Sequence, residues 1–217
     1  TPVPEITYGP LIPTDTTHSD PTSIATSTIA PTSTNIDFDK VILYDPHRWV
    51  EYPSLVVTGV EGSTIEEIAL APNGSLWVAT TDGVSHFDGK VWRVYSAADG
   101  LADANTMAIA VDKNGVVWAG SLHSGSIYSF DGSTWQVYNR DVSGIYSIVA
   151  DNDVLWFGGF TYHEDKPETG DILRLTSGIW KTYSIPNESR YSGVHLWELV
   201  VDITGNVWGT TTKGLFK

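Results

Sequence analysis

From residue 36 onward the apolar residues come in short runs, several of them alternating with polar positions, and each run is closed by a turn signal. IEEIAL (65–70), SLWVAT (75–80), VVWAGS (116–121) and VLWFGG (154–159) are the clearest, separated by Asn-Gly, Asp-Gly and Ser-Gly. Short runs bounded by such dipeptides predict β-strands joined by tight reversals. No helical period of similar strength accompanies them, so the segment reads as an all-β domain.

Tryptophan supplies the ruler for an internal repeat. Trp77, Trp118, Trp156 and Trp208 each sit in an apolar-Trp-small run, while Trp49, Trp92, Trp135 and Trp180 are each followed three residues later by Tyr52, Tyr95, Tyr138 or Tyr183. Spacings are 41, 38 and 52 in the first set and 43, 43 and 45 in the second; only Trp197 of the nine belongs to neither. A period in this range, with about four short strands in each repeat, is the signature of a β-propeller. One repeat reads strand by strand from Ile65 to Tyr95, with PNG, TDG and DGK as its three turns.

The chain meets the pattern first at Trp49, in LYDPHRWVEY, and last at Trp208, in VWGTTTKGLF. Strands between Val194 and Phe216 therefore supply the inner part of a blade whose outer part is Val41 to Tyr52. The expected fold is a four-bladed β-propeller over 36–217, closed by N- and C-terminal strands. Closure of this kind removes open sheet edges.

The string LWVATTDGVSHFDG (76–89), echoed at VWAGSLHSGSIYSFDG (117–132) and VWGTTTKGLF (207–216), resembles the two-component-regulator propeller repeat. The resemblance runs over nearly all of 41–217 and implies a periplasmic or extracellular propeller module. It departs from the sensors of that family in having no transmembrane helix, kinase segment or DNA-binding segment alongside the blades, which favours a stand-alone extracellular propeller.

Residues 1–35 are of another kind, crowded with Thr, Ser and Pro and without Lys or Arg. Such a segment buries too little apolar surface to fold by itself, and it is expected to be an extended arm. Its Pro-free run Thr22, Ser23, Ile24, Ala25, Thr26, Ser27, Thr28, Ile29 and Ala30 is rich in β-branched residues suited to pairing with a sheet edge, and is the candidate contact with a neighbouring subunit. Thr14, Thr16, Thr17, Thr26, Thr28, Thr32, Ser33 and Thr34 are candidates for O-glycosylation, given the density of hydroxyls among prolines. Asn73 and Asn187 also stand in N-glycosylation sequons.

Charge and composition narrow the partners. A formal charge of −14 repels phosphate backbones, which argues against nucleic acid, and no apolar stretch is long enough to span a bilayer. There is no cysteine, hence no disulfide, thiolate metal site or thiol nucleophile. The six histidines follow no metal-ligand spacing, so neither a metal nor a cofactor is expected.

Local candidates are few. His163, Glu164 and Asp165 lie in the long insertion TYHEDKPETGD (161–171), the best candidate ligand loop, since long loops on rigid scaffolds often carry binding residues. Asp112 and Asp202 are expected to brace their own turns. The aromatic-Asp pairs Tyr44-Asp45, Phe87-Asp88 and Phe130-Asp131 recur at one repeat position and could serve a ligand. SFDGSTW (129–135) is one residue short of a sialidase Asp-box and is not evidence for glycosidase activity.

The sequence thus points to a non-enzymatic, extracellular or cell-surface assembly protein. Its arm would bind the next subunit, with a filament and attached glycan as further expectations. The alternative reading is an extracellular ligand- or carbohydrate-binding sensor.

Overall fold

A computed structural model describes residues 52, 54–59, 63–164, 168–185 and 193–217. The arm with its contact and glycosylation candidates, the outer-strand segment 41–51, Asp165 and Asn187 lie outside the described residues.

Four antiparallel sheets follow one another as the blades of a four-bladed β-propeller. Blade 1 comprises β1 (Ile65–Leu70), β2 (Leu76–Thr80), β3 (Gly83–Phe87) and β4 (Trp92–Tyr95), paired in chain order. Blade 2 repeats this with β5 (Thr106–Val111), β6 (Val117–Ser121), β7 (Ile127–Phe130) and β8 (Trp135–Tyr138). Blade 3 has longer strands, β9 (Gly144–Asp151), β10 (Val154–Thr161), β11 (Thr169–Thr176) and β12 (Ile179–Ile185). Blade 4 has three strands among the described residues, β13 (Leu196–Val201), β14 (Val207–Thr211) and β15 (Gly214–Phe216). A short helix, α1 (Ser54–Thr58), precedes β1 and was not foreseen from the sequence.

The turns form as their residues dictate. Asp112 Oδ1 accepts from the amides of Asn114 and Val116 at 2.8 and 3.0 Å, and Asp202 Oδ1 accepts from Thr204 and Asn206 at 2.9 and 3.0 Å. Asp202 Oδ2 also receives the indole N–H of Trp208 at 2.8 Å, tying the turn to the strand it feeds. The Thr204 hydroxyl, which donates to Oδ1 at 2.6 Å, with the Trp208 indole and the side-chain and backbone N–H groups of Asn206, holds the Asp202 carboxyl far below the usual carboxylate range.

Packing lies in the seams between blades. Trp77, Val84 and Tyr95 of blade 1 bury against Ile109, Tyr128 and Phe130 of blade 2. Trp118 and Ile127 of blade 2 meet Ile148, Phe157 and Leu173 of blade 3. Ile172, Val149 and Trp156 of blade 3 meet Leu199 and Phe216 of blade 4. The first set of tryptophans therefore forms the trailing wall of each seam, which is why that position repeats. Glycine matters where sheets approach closely: a Cβ on Gly158 would stand 2.1 Å from Leu196 Cδ2 across the third seam.

Polar ties cross the same seams. Thr106 Oγ1 donates to Gly83 O at 2.7 Å, and Ser147 Oγ accepts from the Leu199 amide at 3.0 Å. Glu67 Oε2 accepts from the Ile109 amide at 2.7 Å. Burial, reinforced by the nearby Glu198 and opposed by that amide, pushes the Glu67 carboxyl up to about 7.

Candidate ligand-binding site

Every inner strand begins with a bulge at the same place. In the pairings β1–β2, β5–β6 and β13–β14 the register shifts between Ile65 and Glu67, Thr106 and Ala108, and Leu196 and Glu198. In β9–β10 it shifts so that Gly158 opposes Ser147 and Gly159 opposes Ile145. The extra residues are thus Glu66, Met107, Tyr146 and Trp197, four equivalent positions. A bulge frees a side chain from the alternation of the strand and re-aims it.

In blades 3 and 4 the re-aimed residues are aromatic and they meet. Tyr146 and Trp197 have ring centroids 4.9 Å apart, Trp197 and His195 5.6 Å, His195 and Phe160 4.7 Å, and Phe160 and Tyr146 5.5 Å. The four rings form a closed circuit. His195 stacks on Phe160 at 20°, and its Nε2 is hydrogen-bonded to the Glu168 carboxylate. Burial, with Glu168 second, raises the Tyr146 hydroxyl above its ordinary pKa. Trp197 is 47% exposed and neighbouring Tyr162 61%, so the circuit opens to solvent.

The insertion flanks this circuit and is shorter than the sequence suggests, because Thr161 ends β10 and Thr169 starts β11. His163 Nε2 lies 3.3 Å from Thr169 Oγ1, which donates to Asp171 Oδ2 at 3.1 Å. Asp171 is buried and also receives Thr161 Oγ1 and Ser184 Oγ, each at 2.5 Å. This carboxylate pins both ends of the insertion. Glu164 is exposed at its tip.

The aromatic-Asp pairs lead elsewhere. Asp88 Oδ1 accepts from the amides of Lys90 and Val91 at 2.8 and 2.9 Å, and Asp131 Oδ1 accepts from Ser133 and Thr134 at 2.8 and 2.9 Å. The Ser133 hydroxyl and these amides lower the Asp131 carboxyl to about 2. Both side chains are engaged by their own hairpins, which accounts for their repetition.

Sequence reasoning missed Tyr146, Phe160 and His195 as site residues; the one signal was Trp197, the tryptophan that fits neither repeat set. Among the described residues no group of three or more His, Asp or Glu is placed to hold a metal ion, and no helix is long and apolar enough to cross a membrane.

No family model matches the chain, and no curated protein matches it. Solved structures do. The extracellular domain of a hybrid two-component system from B. thetaiotaomicron is 13% identical with a TM-score of 0.52, over 70% of this chain and 20% of that one. A virginiamycin B lyase from Staphylococcus aureus, crystallised with quinupristin, is 15% identical with a TM-score of 0.43, over 69% of this chain and 64% of that one. The chain thus spans less than two thirds of either. The first likeness shows the fold: this chain is a β-propeller like that of a two-component-system extracellular domain.

Proposed function

We propose that the chain is a non-enzymatic extracellular recognition propeller that binds a small molecule or sugar on the Tyr146–Phe160–His195–Trp197 face. The observation that carries this is the half-exposed indole of Trp197 on a bulge, in contact with the rings of Tyr146 and His195, both of which in turn meet Phe160. Rings in mutual contact form a platform, on which the apolar face of a sugar ring stacks, whereas the His195–Glu168 pair and His163 offer polar atoms at its rim. The extracellular setting is supported by the similar extracellular domain and by the Thr/Ser/Pro-rich arm.

Glycan-array screening of the intact chain, repeated with Trp197→Ala, tests the reading. Binding that Trp197→Ala abolishes is expected; binding that survives the substitution overturns the assignment.

A second reading is assembly, in which the arm, through Thr22–Ala30, adds as a strand to a neighbouring subunit and carries O-linked glycan, with a filament as the product. It is favoured by the Pro-free, β-branched character of that run, which suits an extended strand added to a sheet edge. Deleting residues 1–35 and imaging the particles by electron microscopy tests it, and unchanged assemblies would sink it.

A further inference from the structure

One row of side chains recurs on the trailing face of three blades. Strand pairing aligns Trp77, His86 and Arg93 across blade 1, Trp118, Ser129 and Gln136 across blade 2, and Trp156, Arg174 and Lys181 across blade 3. Beside each row, on the same face, stands the tyrosine of the outer strand, Tyr95, Tyr138 or Tyr183. In blade 2 the row is neutral and closes on itself, since Tyr138 Oη donates to Gln136 Oε1 at 3.0 Å and accepts from Ser129 Oγ at 3.4 Å. In blade 1 the negative charge of Asp88 acts on His86, and Arg93 lies over the Tyr95 ring, 4.5 Å from its centroid.

Blade 3 places two full cations directly opposite each other. The Arg174 guanidinium lies 5.4 Å from the centroid of the Trp156 ring and Lys181 Nζ 4.6 Å from that of Tyr183, so an aromatic surface holds each in position. The ion pairs among the described residues are Lys113–Asp153 and His195–Glu168, which leaves Arg174 and Lys181 without a carboxylate partner among them. Arg174 Nε is buried and has no hydrogen-bond partner, so the protein does not use up the donors of this guanidinium. Like charges opposed across two strands repel, and here they do so in a chain whose formal charge is −14. The Tyr183 hydroxyl reports the local field: hydrogen bonding from Lys181, then the charges of Lys181 and Arg174, hold it below its ordinary pKa.

We propose that Arg174, Lys181 and Tyr183 bind a doubly charged oxyanion, phosphate or sulfate, either free or as the ester group of a larger ligand. Two unit positive charges match a dianion; the planar Arg174 fork takes two of its oxygens, and the Lys181 ammonium and the Tyr183 hydroxyl take a third. Lys181 is exposed and Tyr183 is 38% exposed. Arg174 stands five residues along β11 from Thr169, about 16 Å from the strand end that carries the insertion. This site is therefore separate from the ring face and does not depend on what binds there.

Calorimetric titration of the full chain with inorganic phosphate, sulfate and acetate tests this, at low ionic strength and in mildly alkaline buffer where phosphate is the dianion. Saturable one-site binding of phosphate and sulfate is expected, with acetate, which carries a single charge, at least about tenfold weaker. Lys181→Gln, at an exposed position, keeps the wild-type circular dichroism and weakens phosphate at least about tenfold; Arg174→Lys, which retains the charge and loses the fork, does the same. The ultraviolet titration of Tyr183, taken as wild type minus Tyr183→Phe, moves to higher pH with phosphate present, because the bound anion cancels the field of the two cations. A sugar phosphate that binds more tightly than inorganic phosphate supports the site and assigns the anion to an ester, and one that binds equally or less tightly supports it as a site for the free ion. Absence of saturable binding overturns the proposal, as does equal affinity in wild type and Lys181→Gln, or acetate binding as tightly as phosphate.

Discussion

The ring of Tyr95, at the end of the outer strand of blade 1, stands edge-on to the indole of Trp135 in blade 2, 5.7 Å between centroids. Tyr138 repeats the step to Trp180 at 5.7 Å, and Tyr52 to Trp92 at 6.1 Å. The Trp-x-x-Tyr pattern is therefore a staple between blades. Tyr95→Ala is expected to destabilise the fold by about 3–5 kcal/mol, as for a buried aromatic truncated to a cavity. Tyr183→Ala, at a position 38% exposed, is expected to cost less than about 1 kcal/mol. Urea titration of both variants measures the difference.

The two tryptophan classes separate in the same assay. Trp118 is buried in the second seam, so Trp118→Ala is expected to cost about 3–5 kcal/mol. Trp197→Ala is expected to leave the midpoint within about 0.5–1 kcal/mol of wild type while removing ligand binding.

Glu67 gives a pH signature. Its carboxyl is pushed up to about 7 in the folded state from an ordinary value of 4.5, chiefly because burial disfavours its charge. The folded state therefore binds the proton more tightly, and stability falls as pH rises from 4.5 toward 7, then levels. Glu67→Gln keeps an acceptor for the Ile109 amide and is expected to flatten this decline, gaining about 1–2 kcal/mol at pH 8 after allowance for partial exposure. Thermal melts from pH 4 to pH 8 test the sign; a variant with the wild-type slope refutes it.

Gly158→Ala drives a methyl group into Leu196 and Leu199 across the third seam. Overpacking of this kind is expected to cost about 1–3 kcal/mol, read as a lowered melting temperature. Gly74→Ala meets no neighbouring atom, and at its φ of 85° it is expected to show conformational strain alone.

Much of the fold was legible because a seam built the same way each time demands the same residue in the same register; Trp77, Trp118 and Trp156 recur for that reason. The turn aspartates were legible for a similar local reason, the amides two to four residues ahead. The ring circuit was not. Tyr146 and Phe160 are brought to His195 and Trp197 by a seam between blades and by bulges, and neither leaves a periodic trace. His163 and Glu164 marked the right neighbourhood, since their insertion borders the circuit, but the rings they border come from three other strand ends.

The repeated bulge separates two kinds of selection along one strand. Ile109, Ile148 and Leu199 all stay large and aliphatic, because a seam asks for that, whereas Glu66, Met107, Tyr146 and Trp197 are acidic, thioether, phenolic and indole. One position per blade is thus released from the demands of packing, and a propeller so built can exchange the chemistry of its rim blade by blade while its interior stays as it is.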